Sequence, residues 1–148
     1  MTDRQGATTD GRRDQQTGAS ALELELRRDV HAPSAARAAL DGWRPPGLPA
    51  AAPRRETLVL LVSELVTNAV VHSPAAADAP IHVKARVVDD RVSVAVTDAG
   101  EGFTPPRRVL PAVPERLAEG GYGLYLVNRA ASRWGIDREG GTRVWFEL

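Results

Sequence analysis

Leu22, Leu24 and Leu26 alternate with Glu23, Glu25 and Arg27, the period-two pattern that puts every second side chain on one face of a strand. The same pattern returns in Ile81, Val83, Ala85 and Val87 against His82, Lys84 and Arg86, and again in Val92, Val94 and Val96 against Ser93, Ala95 and Thr97. Asp89 and Asp90 separate these two runs and predict a hairpin. Thr142 to Leu148 alternates once more as a last strand. Between the strands the spacing changes. Leu58, Leu61, Val62, Leu65 and Ala69 recur at three- and four-residue steps, which predicts a helix from Arg54 to His72 that Pro74 terminates. The alanine- and leucine-rich stretch from Ser34 to Trp43 reads as an earlier helix closed by Pro45, Pro46 and Pro49, and Tyr122 to Trp134 reads as a later one. Strands with one apolar and one polar face suit a sheet that is wet on one side and covered by helices on the other. The predicted class is α/β (α+β), a two-layer sandwich with a mixed, mostly antiparallel sheet under about three helices.

The 148-residue length suits one folded domain. Met1 to Ser20 has no apolar stretch and reads as a disordered tail, leaving 21–148 for the domain. The 19 basic and 19 acidic side chains balance, so no net field draws the chain to nucleic acid or a membrane surface. The absence of cysteine excludes disulfides and thiolate metal sites, and no apolar run has the roughly 20 residues a membrane helix needs. These features predict a soluble, cytoplasmic protein. Arginine carries nearly all the positive charge, Lys84 being the sole lysine.

Against this apolar frame, three groups of polar residues stand out. Glu64, Asn68 and His72 are four residues apart, and each such step turns roughly 40° around a helix, so they share one face. A carboxamide oxygen is a hard ligand suited to Mg²⁺, and a carboxylate one turn away can orient or deprotonate a hydroxyl. A solvated helix face accounts for such a stripe equally well. Asp98 has the parity of Val92, Val94 and Val96, so its carboxylate points to the covered side, where it needs a partner. Gly100 and Gly102 follow and permit close approach of a ligand to the backbone; a buried acid so placed suits the amino group of a flat base, and also suits a plain turn. Gly120, Gly121 and Gly123 lead into the third helix, where free N–H groups and the helix dipole favour an anion such as phosphate. Neither a P-loop lysine nor the dinucleotide fingerprint accompanies them. Thr142, sharing parity with Val144 and Phe146, faces the covered side, within range of the same ligand as Asp98.

Taken in order, Glu64-Leu-Val-Thr-Asn68-Ala-Val-Val-His72, Asp98-Ala-Gly100-Glu-Gly102-Phe103, Gly121-Tyr-Gly123-Leu124 and Gly141-Thr142 resemble the N box, the two glycine boxes and the terminal Gly-Thr of the GHKL ATPase and kinase superfamily. The resemblance spans about Ala21 to Leu148 and is greatest to the anti-sigma-factor serine kinases. It implies the Bergerat ATP-binding fold, with ATP and Mg²⁺ as cofactors. By this resemblance Glu64 matches the general base, Asn68 the Mg²⁺ ligand and Asp98 the acid at the adenine amino group. Gly100 and Gly102 match the glycines lining base and ribose; Gly121 and Gly123, with Leu124 in the same motif, match the phosphate-binding segment; Thr142 joins Asp98 at adenine. Residues 104–120, with Arg107 and Arg108, resemble the ATP lid. Tyr122 departs from the pattern, standing where these kinases often carry arginine. The implied partners are a sigma factor and an anti-anti-sigma protein of the STAS type, with homodimer formation and without direct nucleic-acid or membrane contact. The alternative is a module that binds ATP without transferring phosphate. A sensor histidine kinase would need a phosphoacceptor hairpin, and His31 before Pro33 sits in none.

Overall fold

The computed structural model describes residues 21–49, 52–73, 75–100, 122–138 and 140–148. The expected tail (1–20), the glycines Gly102 and Gly121, and the lid with Arg107 and Arg108 lie outside the described residues. The element order is β1 (Ala21–Leu26), α1 (Ala32–Gly42), α2 (Pro53–His72), β2 (Ile81–Val88), β3 (Arg91–Asp98), α3 (Tyr122–Ala130), β4 (Arg133–Asp137) and β5 (Thr142–Glu147). The strands form one sheet in the order β1-β2-β3-β5-β4. Every pairing is antiparallel, so among the described residues the sheet is antiparallel throughout rather than mixed.

The alternation seen in sequence sets the two faces. Ile81, Val83, Ala85, Val92, Val94, Val96 and Phe146 are buried under the helices. Their neighbours His82, Lys84 and Arg86 face outward. The β2–β3 turn is made by Asp89 at φ 50° and Asp90 at φ 61°, the paired left-handed conformation whose twist matches an antiparallel hairpin. Arg54 reaches this turn and donates to the Asp90 carbonyl at 2.5 Å.

On the covered side α2 supplies the centre of the core through Leu58, Leu61, Val62, Leu65, Val66 and Ala69, all buried. The first helix begins earlier than the sequence pattern indicates. Pro33 lies inside its first turn, where a missing N–H costs nothing, and the Ser34 hydroxyl donates to the His31 carbonyl at 2.8 Å instead of capping. At its other end the buried Arg55 side chain donates to the Leu40 carbonyl at 2.9 Å and also to the Trp43 carbonyl. One guanidinium thereby satisfies terminal carbonyls of α1 from α2. Burial, with Arg44 adding repulsion and Asp41 opposing it, holds the Arg55 pKa below its ordinary value.

The third helix is shorter than expected, ending at Ala130, and Trp134 belongs to β4. The reversal is fixed at Ser132, whose N–H and hydroxyl both donate to the Glu147 carbonyl, at 2.8 and 3.0 Å. Trp134 and Ile136 then pack towards the core, while Gly135 lets the Trp145 ring lie against the backbone; a Cβ there would come within 2.8 Å of that ring. Among the described residues no helix is long and apolar enough to cross a membrane.

Candidate functional site

A cleft opens between α2, α3 and the ends of β3 and β5. Leu65, Ala69, Val96, Leu124 and Val144 give it apolar walls, and Asn68, His72, Ser73, Asp98 and Thr142 supply its polar atoms. It is narrow, with an enclosed volume of about 30 Å³.

Asp98 and Thr142 are direct partners in the β3–β5 register, which explains why two residues far apart in sequence reach one place. Both are buried, at 8% and 4% exposure. Asp98 Oδ1 accepts from the Ser73 hydroxyl at 2.6 Å and from the Gly100 N–H at 2.7 Å. Among the described residues no hydrogen bond reaches Oδ2. Thr142 donates its hydroxyl to the Gly100 carbonyl at 2.8 Å. Its proton is therefore committed to the Asp98–Gly100 turn, and towards a ligand the oxygen acts as an acceptor. Gly100 serves the site as backbone, holding both side chains in place.

Gly141 precedes Thr142 in the motif, and it is the most constrained of the site's described glycines. Its φ is 136°, and a Cβ there would stand 2.2 Å from the Asp98 carbonyl oxygen. No side chain fits, because the obstacle is backbone. The sequence signal was the Gly-Gly-Thr run at the start of the last strand; the close approach to Asp98 becomes visible only once β3 and β5 are paired.

On the helical side, Asn68 lines the cleft, and Glu64 stands one turn before it, at the outer end. Glu64 faces a second hollow between α1 and α2, shared with Arg37, Asp41, Arg44 and Ser63. The fold thus brings Asn68, Asp98, Leu124 and Thr142 together and leaves Glu64 at the rim. His72, the last member of the polar stripe, also lines the cleft. Gly123 lies in the first turn of α3, directly over α2. A Cβ on it would be 2.8 Å from Asn68 Nδ2 and 3.2 Å from Glu64 Cβ, so glycine lets α3 sit close to both side chains.

Two residues that the sequence pattern does not single out complete the base of the cleft. Ser73 follows α2 and bonds Asp98. Arg28, in the turn after β1, donates through Nη1 to the carbonyls of Ser73 and Ala75 at 3.3 and 3.1 Å, and its Nη2 lies 4.0 Å from Asp98 Oδ1. An arginine in a short turn and a serine after a helix look like solvated residues until the fold encloses them.

The serine-protein kinase RsbW of Bacillus licheniformis is 33% identical over 98 residues, which cover 60% of this chain and 61% of that protein. RsbW of Bacillus subtilis strain 168 is 31% identical over 97 residues, with the same coverage. The chain thus matches about 61% of the length of these curated relatives. A solved histidine kinase domain from the Erythrobacter litoralis EL346 blue-light activated histidine kinase has 26% sequence identity and a TM-score of 0.48, covering 64% of this chain and 43% of that one. The sequence profile of the histidine kinase-like ATPase domain matches residues 26–148. That match runs through α2, the Asp98 turn and the Gly141-Thr142 corner, and with it the chain belongs to the histidine kinase-like ATPase domain family.

Proposed function

We propose that the chain binds ATP in this cleft and transfers its γ-phosphate to a serine of a protein partner. On this reading it is an anti-sigma factor with serine kinase activity, holding a sigma factor until an anti-anti-sigma protein engages it. The observation that carries the nucleotide reading is the base of the cleft. Asp98 Oδ2 has no hydrogen-bond partner among the described residues, and Asp98 and its register partner Thr142 line the cleft together with the apolar Leu65, Val96, Leu124 and Val144. Apolar faces with one edge of acceptors suit a flat ring that carries an amino group. The relatives named serine-protein kinase support the transfer step.

Asn68 fits Mg²⁺ as a single hard oxygen ligand. Among the described residues no group of three or more His, Asp or Glu side chains can hold a metal, which suits an ion taken up with the phosphates. Mg²⁺ held by Asn68 would supply neutralisation of the phosphate charge. Glu64, at the rim, orients the serine hydroxyl and accepts its proton, while the cleft fixes the nucleotide, so the chain acts by positioning and by proton transfer. Gly100 and Gly123 line the nucleotide as backbone on this reading.

Calorimetric titration of ATP, ADP and GTP with and without Mg²⁺, followed by transfer of labelled γ-phosphate to a purified anti-anti-sigma protein, tests both halves. Adenine-selective binding that weakens at least ~10-fold in Asp98→Asn supports the pocket. Binding without labelled serine would leave an ATP-dependent module in place of a kinase. Folded protein that binds no nucleotide sinks the proposal.

A further inference from the structure

We propose that Arg28 and Ser73 form a clamp that sets the Asp98 carboxylate for a ring bearing an amino group, and so determines which purine the cleft accepts. The inference rests on the nucleotide reading above and adds to it the residues that give it selectivity. A carboxylate turns easily about its last bond, because that torsion has broad minima. Fixing Asp98 therefore requires donors on one chosen oxygen. Oδ1 receives the Ser73 hydroxyl at 2.6 Å and the Gly100 N–H at 2.7 Å, with the Arg28 guanidinium 4.0 Å away. All three fall on Oδ1, and Oδ2 has no hydrogen-bond partner among the described residues.

Arg28 is the anchor of this arrangement. Its side chain is 6% exposed, and Nη1 holds two carbonyls of the segment after α2, Ser73 and Ala75, which places the Ser73 hydroxyl against Asp98. Nε and Nη2 are buried with no hydrogen-bond partner among the described residues. Burying a guanidinium with unspent donors is costly, and the neighbouring carboxylate offsets that cost. A guanidinium used only to tie a loop could be replaced by a neutral donor; one placed 4.0 Å from the base-reading carboxylate has an electrostatic part as well.

The consequence is a base edge made of acceptors. Asp98 presents Oδ2, and Thr142, having given its proton to the Gly100 carbonyl, presents a lone pair. Such an edge favours a 6-amino purine and disfavours a 6-oxo purine, whose oxygen would face acceptors without a proton between them. Arg28 does not line the cleft and acts through Asp98; Ser73 lines it and acts through its bond to Asp98 Oδ1, so both serve here as positioning residues.

The test compares ATP with the 5′-triphosphate of purine riboside, which has the same ring system without the 6-amino group. Both are titrated calorimetrically into wild type, Ser73→Ala, Arg28→Met and Arg28→Lys, with melting temperatures recorded for each. We expect Ser73→Ala and Arg28→Met to lose ~10-fold in ATP affinity while the analogue changes little, so that the wild-type preference for ATP collapses, and Arg28→Lys to restore part of it. Equal weakening of both ligands, or a wild-type preference retained in the variants, overturns the clamp and leaves the nucleotide reading intact. A wild type that binds neither ligand overturns the nucleotide reading and the clamp with it. Should Arg28→Met fail to fold, Ser73→Ala, which removes one hydroxyl, decides the question alone.

Discussion

The two ends of the cleft are held in different ways. At the base end, Asp98 and Thr142 sit on paired strands, both buried, tied to each other through Gly100 and backed by Ser73 and Arg28. At the end proposed for the phosphates, Glu64 and Asn68 stand one turn apart on α2, half-buried, and no side-chain hydrogen bond fixes either among the described residues. A Cβ added to Gly123 of α3 would meet both side chains. A buried polar group must be satisfied before any ligand arrives, whereas a half-exposed one can wait in water. On the proposed reading, the strand end, where the base would sit, is therefore preorganised for recognition, and the helical end, where the phosphates would sit, would acquire its final geometry with the nucleotide. Binding and chemistry should then be separable by mutation.

The sharpest separation is expected at Glu64. Glu64→Gln keeps the size and polarity of the side chain but cannot take a proton. We expect phosphotransfer to fall roughly 10²- to 10⁴-fold, about 3–5 kcal/mol of barrier, with ATP affinity within a factor of about three of wild type. Single-turnover transfer and calorimetry measure the two quantities. A variant that loses affinity in proportion to rate would mean that Glu64 holds the nucleotide, and the division between the ends would fail.

Next in size is Gly141→Ala, at the base end. The added Cβ would stand 2.2 Å from the Asp98 carbonyl, at a φ of 136° that L residues rarely adopt. We expect a loss of roughly 3 kcal/mol or more in stability by denaturant unfolding, because the backbone at Asp98 has to move. ATP affinity should fall with it. The complementary change at the other end, Gly123→Ala, meets the Asn68 side-chain amide at 2.8 Å, and a side chain can yield. About 1 kcal/mol of stability is expected to be lost, with affinity reduced chiefly when Mg²⁺ is present. Equal destabilisation by the two alanines would break the comparison.

These contrasts bear on what the sequence could reveal. Alternation of Val92, Val94 and Val96 predicted both the strand and the inward face of Asp98, because a strand has only two faces and the core claims one. The α2 stripe was legible for a similar reason, its apolar period being long enough to outvote local noise. β4 was not legible. Its five residues include Gly135, and they follow a helix closely enough that the periodicity of Tyr122–Ala130 reads through them to Trp134. Only the Ser132 bonds to Glu147, a contact with the far end of β5, decide where the helix stops. Arg28 and Ser73 were missed for the same physical cause. Their role depends on the segments after β1 and after α2 meeting beneath Asp98, which no local pattern encodes. The site's motif residues were legible singly, while the network that orients them is tertiary.

The smallest effect is expected on the wet side of the sheet, which serves as the control for both ends. Lys84 and Glu23 face each other across the β1–β2 register, with Nζ 3.1 Å from Oε1 and side chains 66% and 70% exposed. Ions so exposed lose little hydration when separated, and salt screens what attraction remains. Lys84→Met should change stability by less than about 0.5 kcal/mol, leaving ATP affinity and its Mg²⁺ dependence at wild-type values. Denaturant unfolding at low and high salt, paired with one ATP titration, measures this. Because β2 lies two strands away from β5 and its outward residues point away from the cleft, a change in nucleotide affinity here would show that the open face is coupled to the site. Recognition would then belong to the whole sheet, and the contrast between a preorganised base end and a waiting phosphate end would have to be redrawn around it.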